Sequence, residues 1–177
     1  SFEVNSDSPL IYVSFGTLGS SDIQLMQRLI NVLGKLPYRV LLNVGDYIEQ
    51  YKDVPKNIHI AAWYPQPSVI PQVDMVIHHG GNNSFTECLY FGKPALIMPY
   101  VWDGHDNATR VEETKHGLSL NRYSWTDEHL KSTLEVLLDD STIHETLKKS
   151  SKHMQQQDGP AKAARILTQL LEQSRNR

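Results

Sequence analysis

A chain of 177 residues with 40% hydrophobic and 21% charged side chains suits one globular domain with a buried core. Its net charge of −3 argues against a general nucleic-acid or anionic-membrane binder and leaves room only for a local anion site. The single cysteine, Cys88, excludes an internal disulfide and makes a reducing, cytoplasmic setting the default; no apolar run approaches the roughly 18 residues of a membrane span, and no signal peptide is visible.

Residues 1–9 are polar, end at Pro9 and read as a linker-like leader. The start at Ser1 rather than Met suggests a fragment of a longer protein, whose other parts could carry targeting or a membrane anchor. Leu10 to Phe15 is β-rich and stops at Gly16, opening a Gly/Ser loop over 16–20. Ser21 with Gln24 matches a capping box, and apolar residues at Ile23, Met26, Ile30 and Leu33 predict a helix ending near Gly34. Arg39–Val44 and Ile58–Ala62 read as strands, separated by a polar loop with a helical turn. Trp63-Tyr64-Pro65-Gln66-Pro67 cannot extend the second, because proline lacks a ladder donor.

Asp74–His78 is a fourth strand, followed by two glycines and a helix over Ser84–Phe91. Ala95–Met98 is apolar without alternation, the mark of a strand buried on both faces. Tyr100–Asp106 reads as loop, Asn107–His116 as a polar helix and Gly117–Leu120 as a last strand. Helices follow from Thr126 to Leu138, from Ser141 to Gln155 and from Asp158-Gly159-Pro160 onward. The last carries an apolar stripe at Ala163, Ile166, Leu167, Leu170 and Leu171, and a polar tail over 173–177 that should fray. Strands alternating with helices predict an α/β domain with a Rossmann-like, doubly wound parallel sheet. Such sheets bind ligands outside the carboxyl ends of their strands, where loops 16–20, 63–67, 79–84 and 100–106 should line one cleft.

The stretch from His79 to Glu87 is a strand, a glycine turn and a helix start, which offers unpaired amides and the positive end of a helix dipole to a phosphate. His79 can donate to a phosphate oxygen or simply bond a carbonyl; one of His78 and His79 should face the core, and His79, beside the glycines, suits the ligand. Asn83 and Ser84 can cap the helix or touch a phosphate, and Glu87 can close a capping box with Ser84 or accept from a diol. Trp63 can stack on a base or close the core; Gln66 can bond a ribose or face solvent; Asp103 can cap a helix or bind sugar hydroxyls. Trp102 and Trp125 read as packing residues and Cys88 as buried and inert. There is no metal-ligand spacing, no Gly-x-Gly-x-x-Gly after the first strand, no P-loop and no Gly-x-Ser-x-Gly elbow.

Taken together, Tyr12-Val13-Ser14-Phe15-Gly16-Thr17, Trp63-Tyr64-Pro65-Gln66, His79-Gly80-Gly81-Asn82-Asn83-Ser84 through Glu87, and Pro99–Asp103 with Asn107 resemble family 1 UDP-glycosyltransferases. The resemblance implies the C-terminal, nucleotide-sugar-binding half of a GT-B fold. It implies Trp63 stacked on uracil, Tyr64 contacting the base through its backbone and Gln66 near the ribose. It further implies Glu87 on the ribose, His79, Gly81, Asn83, Ser84 and Thr17 on the phosphates, and Asp103 on the donor sugar. It implies inverting transfer of a hexose or hexuronic acid to a lipophilic or phenolic acceptor, with no cofactor or metal. The catalytic His and Asp belong to the family's N-terminal acceptor-binding domain, so this chain alone should bind UDP-sugar without transferring it. Gly104 departs from the family's usual Gln and removes a sugar contact. The alternatives are a standalone nucleotide-sugar-binding subunit paired with a separate acceptor-binding chain, or a sugar-nucleotide epimerase of similar fold.

Overall fold

The computed structural model describes residues 7–175; most of the leader, residues 1–6, and the last two tail residues lie outside the described residues. Six strands form one parallel sheet in the order β3-β2-β1-β4-β5-β6. They are β1 (Leu10–Ser14), β2 (Arg39–Asn43), β3 (Ile58–Ala61), β4 (Met75–His78), β5 (Ala95–Ile97) and β6 (Gly117–Ser119). The α/β, doubly wound architecture expected from the alternation is therefore present. The strand order reverses between β1 and β4, so the connections after these two strands leave toward opposite sides and open a crevice at the sheet's carboxyl edge.

Both faces are covered, which is why the central strands read as continuous apolar runs. On one face Ile11, Val13, Leu42 and Ile77 pack against Met26, Leu29, Ile30 and Leu33 of α2 (Ile23–Leu33) and against Leu130 and Leu134 of α6 (Asp127–Asp139). On the other, Tyr12, Val76 and Ile97 meet Phe85 and Cys88 of α4 (Asn82–Phe91) and Ala108 and Val111 of α5 (Asp103–Glu113). Trp125 and Cys88 are buried as expected, and burial pushes the Cys88 thiol pKa far up, which keeps it inert.

Several local expectations are corrected. Residues Gly16–Gly19 form a helical turn, α1, rather than a loop, and α2 is capped by Asp22, whose carboxylate accepts from the Leu25 amide, while Ser21 donates to the Leu18 carbonyl. A carboxylate at the cap also complements the helix dipole, which the hydroxyl does not. α4 begins at Asn82, not Ser84, with Gly81 before it and no side-chain cap, so the Ser84–Glu87 capping box does not form. α5 begins at Asp103, four residues before the predicted start, because its polar first turn is held by tertiary contacts that sequence periodicity does not register. Trp102 is 78% exposed with φ of +49°, not a packing residue.

Helices α3 (Gln66–Val69) and α7 (Ser141–Gln155) complete the covered layers. Helix α8 (Gly159–Arg175) is different: Ile166, Leu167, Leu170 and Leu171 are all exposed. It continues helically through residues 173–175 of the predicted tail. No helix among the described residues is long and apolar enough to cross a membrane.

Candidate functional site: a cavity at the switch point

A cavity of about 970 Å³ opens at the carboxyl edge, lined from the segments after β1, β2, β3 and β4. Thr17, Trp63, Tyr64, Gln66, His79, Gly81, Asn83 and Ser84 all line it. Glu87 and Asp103 do not line it but touch residues that do. A smaller cavity of about 460 Å³ between α4 and α7 has no comparable convergence; its Ser151 and Gln155 side chains both donate to the Tyr90 carbonyl.

The corner after β4 is tightly built. His78 is fully buried and its Nδ1 accepts from the Gly80 amide at 3.0 Å, which fixes the turn. Burial, aided by neighbouring His79, pushes its pKa down to about 3, so it stays neutral. The His79 ring turns instead to the cavity, between Gly16 and Gly81: a Cβ at Gly16 would lie 2.9 Å from His79 Cε1, and one at Gly81 would strike Nε2. Gly81 thus makes room for an imidazole as much as for a ligand. Partial burial lowers the His79 pKa; the Ser14 carbonyl and Asp103 oppose this, and Arg122 reinforces it.

Gly80 has φ of +87°, and a Cβ there would lie 2.7 Å from the Gly104 carbonyl oxygen. The start of α5 therefore rests directly on the corner. A Cβ at Gly104 would in turn lie 2.7 Å from the His79 carbonyl oxygen, so glycine at the position where the family commonly has Gln belongs to this close contact. Asn107 Nδ2 ties the two together by donating to the Gly80 carbonyl at 2.8 Å. Asp103 does not cap its own helix; its Oδ2 accepts from the Asn82 amide, the first of α4, at 3.1 Å. The Phe85 amide bonds the Gly81 carbonyl, whereas those of Asn83 and Ser84 find no acceptor among the described residues. Two free amides at the positive end of a ten-residue helix, beside a histidine, have the geometry and charge to take an anion.

On the other side of the cavity Trp63 is 71% exposed, too open to be closing the core. Tyr64 is held by its hydroxyl, which donates to the His59 carbonyl at 2.9 Å and contacts His59 Nδ1 at 2.6 Å. Gln66 does not face solvent: its Nε2 donates to Ser84 Oγ at 3.0 Å and to Glu87 Oε2 at 2.5 Å. The segment after β3 and the start of α4 are thus physically linked.

Sequence reasoning missed three contributors. The end of β2 and the loop after it, with Asn43, Asp46 and Tyr47, line the cavity; their place at a strand's carboxyl end is the signal that could have found them. Arg122 is 3% exposed; its Nη2 donates to the Gly19 carbonyl and its Nε pairs with Asp22 at 3.4 Å, clamping α1 from the end of β6. No local pattern marks it, since its partners are about a hundred residues away. Tyr12 reads as an ordinary strand residue but reaches Gln66 with its hydroxyl.

A six-stranded parallel, Rossmann-like sheet with a cavity at its switch point is the architecture of one half of a GT-B glycosyltransferase. Residues 27–170 match the family model of the erythromycin biosynthesis protein CIII-like C-terminal domain, and the chain belongs to that family, the C-terminal domain of family 1 glycosyltransferases. UDP-glycosyltransferase UGT4 of Dactylopius coccus is 35% identical over 152 residues, 84% of this chain and 29% of that protein. The uncharacterized UDP-glucosyltransferase YojK of Bacillus subtilis is 24% identical over 97% of this chain and 43% of its own length. The crystal structure of the glycosyltransferase of kitacinnamycin superposes with a TM-score of 0.87 at 21% identity, covering 96% of this chain and 45% of that one. The chain thus spans less than half the length of these relatives.

Proposed function

We propose that this chain is the UDP-sugar-binding part of an inverting glycosyltransferase that moves a hexose or hexuronic acid to a small lipophilic or phenolic acceptor. The observation that carries the reading is the corner after β4, where His79 and the free amides of Asn83 and Ser84 face one cavity. In this reading the pyrophosphate sits on those amides, Trp63 stacks on uracil, Glu87 and Gln66 meet the ribose, and Asp103 meets the sugar. As the glycosidic bond to the donor phosphate breaks, negative charge grows on the leaving UDP. The helix dipole and a His79 N–H offset it in a partly water-excluded site, which lowers the barrier without any proton leaving the chain. Deprotonation of the acceptor is assigned to the N-terminal acceptor-binding domain of the same protein. The uncovered stripe of α8 fits contact with that domain, since burying each of its leucines would contribute about 1.5–3 kcal/mol.

Calorimetric titration with UDP tests the site. His79→Ala should weaken binding about tenfold or more, as for loss of a hydrogen bond to a charged group. Trp63→Ala should weaken it about five- to tenfold or more, as for loss of a stacking platform. Unchanged affinity in both variants overturns the assignment. With amides and imidazole meeting the phosphate charge, chelation with EDTA should leave UDP affinity unchanged; a large loss would show that a metal takes part.

A further inference from the structure

Tyr12 stands apart from the residues that line the cavity, because it sits wholly buried in the middle of β1 yet carries a polar group. Its hydroxyl donates to Gln66 Oε1 at 3.3 Å. The orientation of the Gln66 amide is fixed independently: Glu87 is acceptor-only, so the contact at 2.5 Å must be made by Nε2, and Oε1 then faces Tyr12. The same Nε2 donates to Ser84 Oγ. Tyr12 also meets Tyr64 edge-on at 5.8 Å, which fixes its ring. The result is a chain of contacts running from the sheet interior, through one amide, to a carboxylate on the first turns of α4.

We propose that Tyr12 is a positioning residue for ribose recognition: its buried hydroxyl locks the Gln66 amide, which holds one oxygen of Glu87 and turns the other toward the ribose hydroxyls. The proposal rests on the reading that the cavity takes a nucleoside diphosphate with Glu87 at the ribose. Burial raises the Tyr12 pKa, opposed by the Ser14 and Asn43 side chains and reinforced by the Glu87 charge, so the hydroxyl remains a donor at neutral pH. A free glutamate on a helix surface samples several rotamers and loses that freedom on binding a diol; one already tethered by an amide does not. Discrimination between a ribose and a 2′-deoxyribose is the property that depends on this tether, whereas phosphate and base contacts do not.

The test compares dissociation constants for UDP and 2′-deoxy-UDP in the unaltered chain, Tyr12→Phe, Gln66→Leu and Glu87→Gln. The unaltered chain should prefer UDP, and Glu87→Gln should erode that preference. Tyr12→Phe, which removes one oxygen and no packing, should reduce the UDP to deoxy-UDP preference about three- to tenfold while leaving deoxy-UDP affinity in place. Gln66→Leu, at a partly buried site, removes the amide that carries the link and should reduce the preference at least as far. A preference unchanged in Tyr12→Phe, with its melting midpoint checked against that of the unaltered chain, overturns the proposal and leaves Tyr12 a packing residue, whatever Gln66→Leu does. No preference in the unaltered chain and no response to Glu87→Gln overturns the ribose reading itself, and the Glu87 control separates that failure from a failure of Tyr12 alone.

Discussion

The corner after β4 and helix α8 are opposites in how far the fold determines them. At the corner the packing interlocks: Gly80 rests under Gly104, His79 lies between Gly16 and Gly81, and Asp103 reaches over to the first amide of α4. Along α8 four large aliphatic side chains face solvent, and a Cβ on Gly159 would meet nothing within 4 Å. In the proposed reading the exposed tryptophan beside convergent amides and an imidazole serves a small ligand, and the exposed aliphatic stripe without a cavity serves a larger partner. The difference separates a region whose shape this chain sets by itself from one whose face it leaves uncovered.

The largest effect should come from filling the corner. Gly80→Ala forces a side chain into a left-handed backbone, costing about 1–2 kcal/mol, and drives its Cβ against Gly104 and Ile97, costing about 1–3 kcal/mol more. Urea melts should show a destabilisation of roughly 2–5 kcal/mol, with UDP affinity falling further as α5 is pushed off the corner. A variant with unchanged stability would mean that the contact between the two glycines is slack, and the contrast with α8 would lose its basis.

Acid should strike the same place next. His78 has a folded pKa of about 3, while an unfolded histidine has about 6.5. Between these values the unfolded chain binds a proton that the folded chain refuses, so stability falls as pH drops below 6.5 and this loss levels off near 3. At pH 5 the loss from this one group should be about 2 kcal/mol, and His78→Leu should flatten that part of the stability profile. An unchanged profile in the variant would place the acid sensitivity elsewhere.

Much of this molecule was legible beforehand, for reasons that differ by element. Alternating strands and helices fixed the sheet, because each apolar run of β1, β4 and β5 had no polar face to offer. The glycines after His78 announced a turn into a helix start, because the backbone geometry they permit is local. What escaped notice was tertiary. Asp103 looked like a cap for its own helix and serves the start of α4 instead. Ser84 and Glu87 had the spacing of a capping box, yet Gln66, 18 and 21 residues away, claims both side chains. Arg122 and Tyr12 carry no local signal at all, since the first meets Gly19 and Asp22 and the second Gln66, all far along the chain.

The smallest expected effect is the most telling about α8. Leu167→Glu with Leu170→Glu replaces two side chains that touch solvent, so the stability of this chain should stay within about 0.5 kcal/mol of its starting value and UDP affinity should not move. Buried leucines would behave otherwise, at about 2–5 kcal/mol for truncation alone. A marked fall in the melting midpoint would therefore mean that α8 folds back onto this domain in solution, leaving no free face. With the midpoint unchanged, and with this chain joined to an acceptor-binding half as proposed above, the same pair should lower sugar transfer by the joined protein while sparing UDP binding, because a helix that serves only the junction between two halves affects their joint reaction and not the proposed donor site.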